Sequence, residues 1–123
     1  AHAPSKVSAA VKALAAQFGK VRTVLELHTF SSLNPEFLPQ YSGAMEGAND
    51  AWVYFSPDAV AHKKLPTLSK EDVAAAFGAG VRVFDTAQEL EEALRDVGEN
   101  KAVVMMSSGN FGGIDLKAVF QTY

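Results

Sequence analysis

The sequence predicts a three-layer α/β domain in which helices cover both faces of a mostly parallel sheet. Short apolar segments that suit strands alternate along the chain with segments whose apolar residues recur at helical spacing. The apolar segments are hydrophobic at consecutive positions, as in Val103-Val104-Met105-Met106, which is typical of parallel strands buried on both faces. This alternation indicates right-handed crossovers, and therefore strands that run in the same direction.

The first half of the chain contains one clear helix, two strands and one ambiguous segment. Pro4 suits the first turn of the helix and Gly19 its end, and the apolar residues between them follow the i, i+3, i+4, i+7 rule. Strands are predicted at Val21–Leu27 and 51–55 because both segments are short and heavily apolar. Residues 34–48 have a helical pattern that prolines interrupt, and this pattern predicts a poorly formed helix.

The second half begins with a polar connection over 56–65 and then returns to alternating elements. Ser69 opens a helix, and Thr86-Ala87-Gln88-Glu89 is a capping box that opens another. The residues predicted to face the core from these two helices are Val73, Ala74, Phe77, Leu90, Ala93, Leu94 and Val97. The remaining predicted elements are strands at Val81–Phe84 and 101–106 and a final helix at 115–121.

The start of the chain does not fit this alternation, because the first element is a helix. The sequence begins Ala1-His2-Ala3-Pro4, without an initiator methionine and without a signal-peptide pattern. We therefore expect the chain to be part of a longer protein in which a strand precedes Ala1. The 123 residues suffice for a single domain with its own core.

Composition excludes several classes of function. The formal net charge of −3 argues against a nucleic-acid binder, which normally carries a basic excess. No apolar run has the roughly eighteen residues that a membrane span needs. The absence of cysteine excludes disulfides, thiolate metal sites and a thiol nucleophile, and it fits a cytoplasmic protein. We therefore expect neither nucleic acid nor membrane as a partner.

The candidate site lies in the turns that follow the strands, because the carboxyl ends of parallel strands share one edge of the sheet and ligands bind there. These turns span 28–34, 56–65, 85–86 and 107–113. The first offers an imidazole, three hydroxyls and an amide, which suit either a ligand or the capped start of a helix. The last is rich in serine and glycine, which suits either an anion held by backbone amides or simply a tight turn.

Other motifs are weak. The last turn lacks the lysine of a G-x-x-x-x-G-K-[ST] phosphate loop and does not fit G-x-G-x-x-G. His2, His28 and His62 match no metal-ligand spacing, and the neighbouring lysines oppose a cation at His62, so no metal is expected. The pair Lys63-Lys64 is typical of solvated surface. No Ser-His-Asp arrangement can be identified, because separation in sequence does not show proximity in space.

Three segments together resemble the C-terminal domain of the Mur ligases, the ATP-dependent enzymes that build the peptidoglycan stem peptide. They are Ala1-His2-Ala3-Pro4, Glu26-Leu27-His28-Thr29-Phe30-Ser31 and Met105-Met106-Ser107-Ser108-Gly109-Asn110-Phe111-Gly112-Gly113. The resemblance covers nearly the whole chain and implies a Rossmann-like domain from a three-domain enzyme. Within the family, the last segment is most similar to the ligases that join UDP-N-acetylmuramate to L-alanyl-γ-D-glutamyl-meso-diaminopimelate in peptidoglycan recycling.

The resemblance implies a two-step reaction, in which ATP phosphorylates the muramoyl carboxylate and the amine of the acceptor attacks the acyl phosphate. ATP and Mg²⁺ would be bound mainly by a central domain absent from these residues, so the isolated domain is expected to bind no cofactor and to be inactive. The branch of the family that adds L-alanine carries two arginines where this chain has Thr29 and Ser32. Their absence favours a larger acceptor, with L-alanine as the alternative.

The resemblance also assigns roles by motif position. His2 would face the nucleotide and the reaction centre, and no residue of this domain would be catalytic. The residues that would bind the acceptor are His28, Thr29, Ser31, Ser32, Ser107, Ser108, Gly109, Asn110 and Phe111. Phe111 would form a wall of the acceptor pocket. The hydroxyls and amides would suit the carboxylates of a peptide.

Two further hypotheses come from other classes of protein. A stand-alone flavodoxin-like module would need a hydroxyl-rich phosphate turn after its first strand, which the turn after residue 27 matches loosely. A receiver-like module would need an acidic pair to accompany Asp85, and the sequence offers none. A purely structural or interaction domain is the third possibility.

Overall fold

A computed structural model describes residues 4–29, 32–78, 80–96, 102–107 and 111–114. In chain order its elements are helix α1 (Pro4–Phe18), strand β1 (Val21–Leu27), a first 3₁₀ turn (Leu38–Tyr41), β2 (Asp50–Phe55), α2 (Pro57–His62), α3 (Lys70–Phe77), β3 (Val81–Phe84), α4 (Ala87–Leu94), β4 (Ala102–Met106) and a second 3₁₀ turn (Phe111–Gly113).

The described strands form one sheet in the order β3-β2-β1-β4, and every neighbouring pair is parallel. This confirms the predicted α/β class. All seven residues of β1 are buried, as expected for a central parallel strand. The expectation of complete burial was wrong for β4, where residues 103–105 are only half-buried. The reason is that β4 pairs with β1 alone in the described part of the chain.

Helices pack on both faces of the sheet and complete the three layers. On the first face, Val7 and Val11 of α1 join a hydrophobic cluster with Val73 and Phe77 of α3. On the second face, the side chain of Leu90 from α4 packs with residues such as Trp52 and Phe84. Burial of one such aliphatic side chain stabilises the fold by about 1.5–3 kcal/mol.

Side-chain caps begin the helices where the sequence predicts them. Ser69 and Asp72 form a complete capping box, with the Ser69 hydroxyl accepting from the backbone N–H of Asp72 at 3.0 Å. At α4, Thr86 accepts from the N–H of Glu89 at 3.3 Å, which is one half of the predicted box. Of the predicted core residues, Ala74 and Ala93 are only half-buried.

Two segments differ from the sequence-based expectation. The connection after β2 was predicted as a loop, but it contains α2, which Ser56 caps and Pro57 begins. Residues 34–48 form turns around a single 3₁₀ turn, because Gly43 and Gly47 adopt positive φ and end any helix there. Val97 and the predicted final helix at 115–121 lie outside the described residues.

Across the described ranges, the helices are all too short or too polar to cross a lipid bilayer.

Candidate functional site

The carboxyl ends of the four strands lie along one edge of the sheet, as their parallel pairing requires. His28 follows β1, Ser56 follows β2, Asp85 follows β3 and Ser107 follows β4. Because β1 and β4 are neighbours, the two predicted turns after them meet at this edge. The predicted site residues His2, Ser31, Ser108, Gly109 and Asn110 lie outside the described residues.

Glu26 links these two turns. Its side chain lies on the second face of the sheet and is 3% exposed. The carboxylate oxygen Oε1 accepts a short hydrogen bond from the Ser107 hydroxyl and another, of 3.0 Å, from the backbone N–H of Phe111. A carboxylate is rarely buried unless such donors satisfy it, because burial without them is costly. Glu26 therefore fastens the turn after β4 to the end of β1.

Glu26 stands within one of the three motifs but was not among the predicted site residues. One signal could have identified it. Glu26 is the single carboxylate in an otherwise apolar end of β1, Val24-Leu25-Glu26-Leu27. A charged residue in a strand predicted to be buried on both faces must find hydrogen-bond donors. Its donors could not be named, because they lie 81 and 85 positions away along the chain.

Phe111 occupies an unusual backbone conformation at this junction. Its φ is +53°, in the left-handed region that non-glycine residues rarely enter. The ring is 4% exposed and packs into the hydrophobic cluster on the second face, beside residues such as Leu90. Ring packing and the hydrogen bond to Glu26 together offset the backbone strain. The role of Phe111 as a wall of the acceptor pocket remains a prediction.

The hydroxyls of Thr29 and Ser32 bond to each other within the turn after β1. The Ser32 hydroxyl accepts from the Thr29 backbone N–H at 3.0 Å and donates to the Thr29 carbonyl at 3.1 Å. The Thr29 hydroxyl donates to Ser32 Oγ at 2.9 Å and accepts from the Ser32 N–H at 3.1 Å. Ser32 is 1% exposed. These contacts build the turn itself, and no α-helix begins there in the described residues.

His28 is placed differently from its neighbours. Its side chain is 42% exposed, and its Nδ1 lies 4.0 Å from Glu26 Oε2. That separation is too long for a hydrogen bond. Because much of its side chain is exposed, the His28 imidazole is accessible at the edge of the sheet.

Tyr54 pairs with Glu26 across the β1–β2 ladder and is 3% exposed. Burial, followed by the negative charges of Glu26, Asp58 and Asp85, raises the pKa of the Tyr54 phenol. The phenol therefore stays protonated at neutral pH. The carboxylates of Glu26, Asp58 and Asp85 therefore lie near enough to the Tyr54 hydroxyl to act on its pKa.

Two of the cavities in the described part of the chain open at the opposite end of the sheet. One, of about 580 Å³, is lined by charged side chains around Trp52. There Arg22 pairs with Asp50 at 2.9 Å and lies 4.0 Å above the Trp52 ring. Its Nη1 also donates to the Asp96 carbonyl at 2.6 Å. These contacts satisfy the buried guanidinium and hold the amino ends of β1 and β2 together. The other cavity, of about 590 Å³, lies beside the amino ends of β2 and β3.

The structure is similar to one solved domain, from a protein of Haemophilus ducreyi named as a UDP-N-acetylmuramate:L-alanyl-γ-D-glutamyl-meso-diaminopimelate ligase. The TM-score is 0.57 and the identity 23%, over 98% of this chain and 85% of that one. At this identity the likeness shows a shared α/β fold. No protein-family model matches the chain, and no curated protein matches it.

Proposed function

We propose that this chain is the acceptor-binding, C-terminal domain of a Mur-type ligase. The full enzyme would join UDP-N-acetylmuramate to L-alanyl-γ-D-glutamyl-meso-diaminopimelate, in the cytoplasm, where ATP is supplied. The observation that carries the proposal is the Glu26 junction, which joins two of the motifs on which the family resemblance depends. The fold shared with a domain from a protein named as such a ligase supports it.

In this proposal, ATP and Mg²⁺ supply the activation of the muramoyl carboxylate and are bound mainly by another domain. The sequence contains no G-x-x-x-x-G-K-[ST] loop. The residues of this chain would instead orient the acceptor and exclude water when the domains close. His2 would approach the nucleotide from this side.

The acceptor is proposed to be a peptide, with L-alanine as the alternative. The branch of the family that adds L-alanine carries two arginines, whose guanidinium groups suit a carboxylate, where this chain has Thr29 and Ser32. Their hydroxyls are used within the turn. A longer acceptor can instead be held by several contacts along the edge, which fits the length of the turn that the sequence predicts at 107–113.

The proposal can be tested with the full-length gene product. We expect ATP-dependent phosphate release with UDP-N-acetylmuramate and the tripeptide, and at least tenfold lower kcat/KM with L-alanine. The 123-residue chain alone should give no turnover. Efficient use of L-alanine would shift the assignment to the other branch of the family. Turnover by the isolated chain, or flavin that copurifies with it, would contradict the proposed function.

A further inference from the structure

The cavity around Trp52 has a base of buried side chains that hold one another in place. Its volume of about 580 Å³ lies within the range of roughly 300–1,000 Å³ that is usual for sites of small molecules. Arg22 is 4% exposed, and its guanidinium donates to the Asp50 carboxylate and the Asp96 carbonyl. The indole N–H of Trp52 donates to the other oxygen of Asp50 at 3.2 Å. Because these groups satisfy one another, they shape the cavity and leave the binding of a ligand to other side chains.

Arg82 brings an unused guanidinium to the same cavity. This β3 residue lies opposite Trp52 in the β2–β3 ladder, and its guanidinium carbon is 5.3 Å from the centre of the Trp52 ring and 4.6 Å from that of Phe84. An arginine that rests on aromatic rings keeps its N–H groups for other acceptors. None of the described residues gives this side chain a hydrogen bond or an ion pair. Its N–H groups are therefore oriented by the rings and available to a carboxylate, which they suit in bidentate geometry.

Two carboxylates of α4 also line this cavity. Glu89 lies in the first turn of the helix, Glu92 follows three residues later, and both are exposed. Within the part of the chain that the structure describes, neither carboxylate forms an ion pair with Arg82 or with any other basic side chain. The cavity therefore offers one unpaired cation and two unpaired anions that do not neutralise one another by direct contact.

We propose that this cavity binds a small zwitterion of the amino-acid type, such as a short peptide with free termini. Its carboxylate accepts from the guanidinium of Arg82, and its ammonium donates to the carboxylates of Glu89 and Glu92. A phosphate would be repelled by the two glutamates and a simple cation by the arginine, whereas a zwitterion satisfies both sets of charges. The cavity lies at the opposite end of the sheet from the Glu26 junction, so its occupant is a second ligand and not the acceptor of the proposed reaction.

Fluorescence of Trp52 tests the proposal directly, because this residue is the single tryptophan of the chain and lines the cavity. The probes are L-alanyl-L-alanine, its N-acetyl derivative, which lacks the ammonium, and its C-terminal amide, which lacks the carboxylate. Titration of the 123-residue chain should give a Kd for the unblocked dipeptide at least about fivefold lower than for either derivative. This factor corresponds to the roughly 1 kcal/mol that one partly exposed ion pair contributes.

Substitutions assign the two charges of the ligand. Arg82→Gln should remove the advantage of the dipeptide over its amide, and Glu89→Gln combined with Glu92→Gln should remove its advantage over the N-acetyl derivative. The matched controls are Arg95→Gln, just after α4, and Glu71→Gln, which lies in the first turn of α3 as Glu89 does in that of α4. Neither control residue lines the cavity, so both variants should keep the three Kd values of the unsubstituted chain.

Equal Kd values for the three probes, or no change in Trp52 fluorescence with any of them at millimolar concentration, would overturn the proposal. Tighter binding of inorganic phosphate than of the dipeptide would overturn the zwitterionic class of the ligand. Discrimination that persists in the Arg82 and glutamate variants would overturn the assignment to these residues. None of these measurements depends on turnover, so the proposed function stands or fails separately.

Discussion

Glu26→Ala should destabilise the domain, because two donors lose their acceptor. The variant leaves the buried N–H of Phe111 without this acceptor, which costs about 1–3 kcal/mol, and it also removes the carboxylate to which the Ser107 hydroxyl donates. Relief from burying the carboxylate offsets part of this loss. We expect a net loss of about 2–3 kcal/mol in the free energy of unfolding.

Glu26→Gln separates the hydrogen bonds from the charge. The amide oxygen of glutamine can accept from the same two donors, so the expected loss is only about 1 kcal/mol, the difference between a charged and a neutral acceptor. Glu92→Gln serves as the surface control and should stay within about 0.5 kcal/mol of the unsubstituted chain.

Urea unfolding measures all three variants. With a typical slope of about 1–3 kcal/mol/M, the midpoint of Glu26→Ala should fall by roughly 0.7–3 M. If Glu26→Ala unfolds at the same urea concentration as the control, Glu26 does not fasten the turn after β4. If Glu26→Gln loses as much stability as Glu26→Ala, charge rather than hydrogen bonding dominates the junction.

Three further outcomes are expected. Thr23→Val should raise the stability measured by thermal unfolding by about 1 kcal/mol, because the buried Thr23 hydroxyl has no hydrogen-bond partner in the described residues. Thr23→Ala should lower the stability, because it opens a cavity. Lys64, just after α2, has a φ of +57°, so Lys64→Gly should stabilise the domain by up to about 1 kcal/mol. The control Lys63→Gly, at a φ of −84°, should destabilise it. Equal effects of the two substitutions would contradict the proposed backbone strain at Lys64. Burial raises the pKa of both Tyr41 and Tyr54, so the native state holds these protons longer than the unfolded chain. The contribution of the two phenols to stability should be constant below about pH 10 and should be lost above it, with a shallower fall in Tyr54→Phe.

The sequence predicts the fold well where burial decides the structure. β1 and α4 follow from local patterns, because an apolar strand and an amphipathic helix each have one way to bury their side chains. The helix α2 was missed because its six residues are too few for a periodic signal. Its cap at Ser56 and the proline at its first turn carried the information instead.

The candidate site was only partly predictable. That the turns after β1 and β4 share an edge follows from parallel topology alone. The hydrogen bonds between Thr29 and Ser32 depend on local turn geometry, which composition does not determine. The proximity of Glu26 to Phe111, and of Tyr54 to Asp85, requires the strand order β3-β2-β1-β4. A single sequence contains no direct record of that order.

The hydrogen bond from Phe111 to Glu26 spans 85 positions of the chain, and this has a consequence for how the domain folds. Contacts between such distant residues form late, because closing a long loop costs conformational entropy before the contact stabilises anything. β4 must add beside β1 before the carboxylate can meet its donors. A chain that has folded only its first three strands thus has a hydrophobic core but no assembled site. Formation of the hydrogen bonds to Glu26 consequently reports the addition of β4 to the sheet.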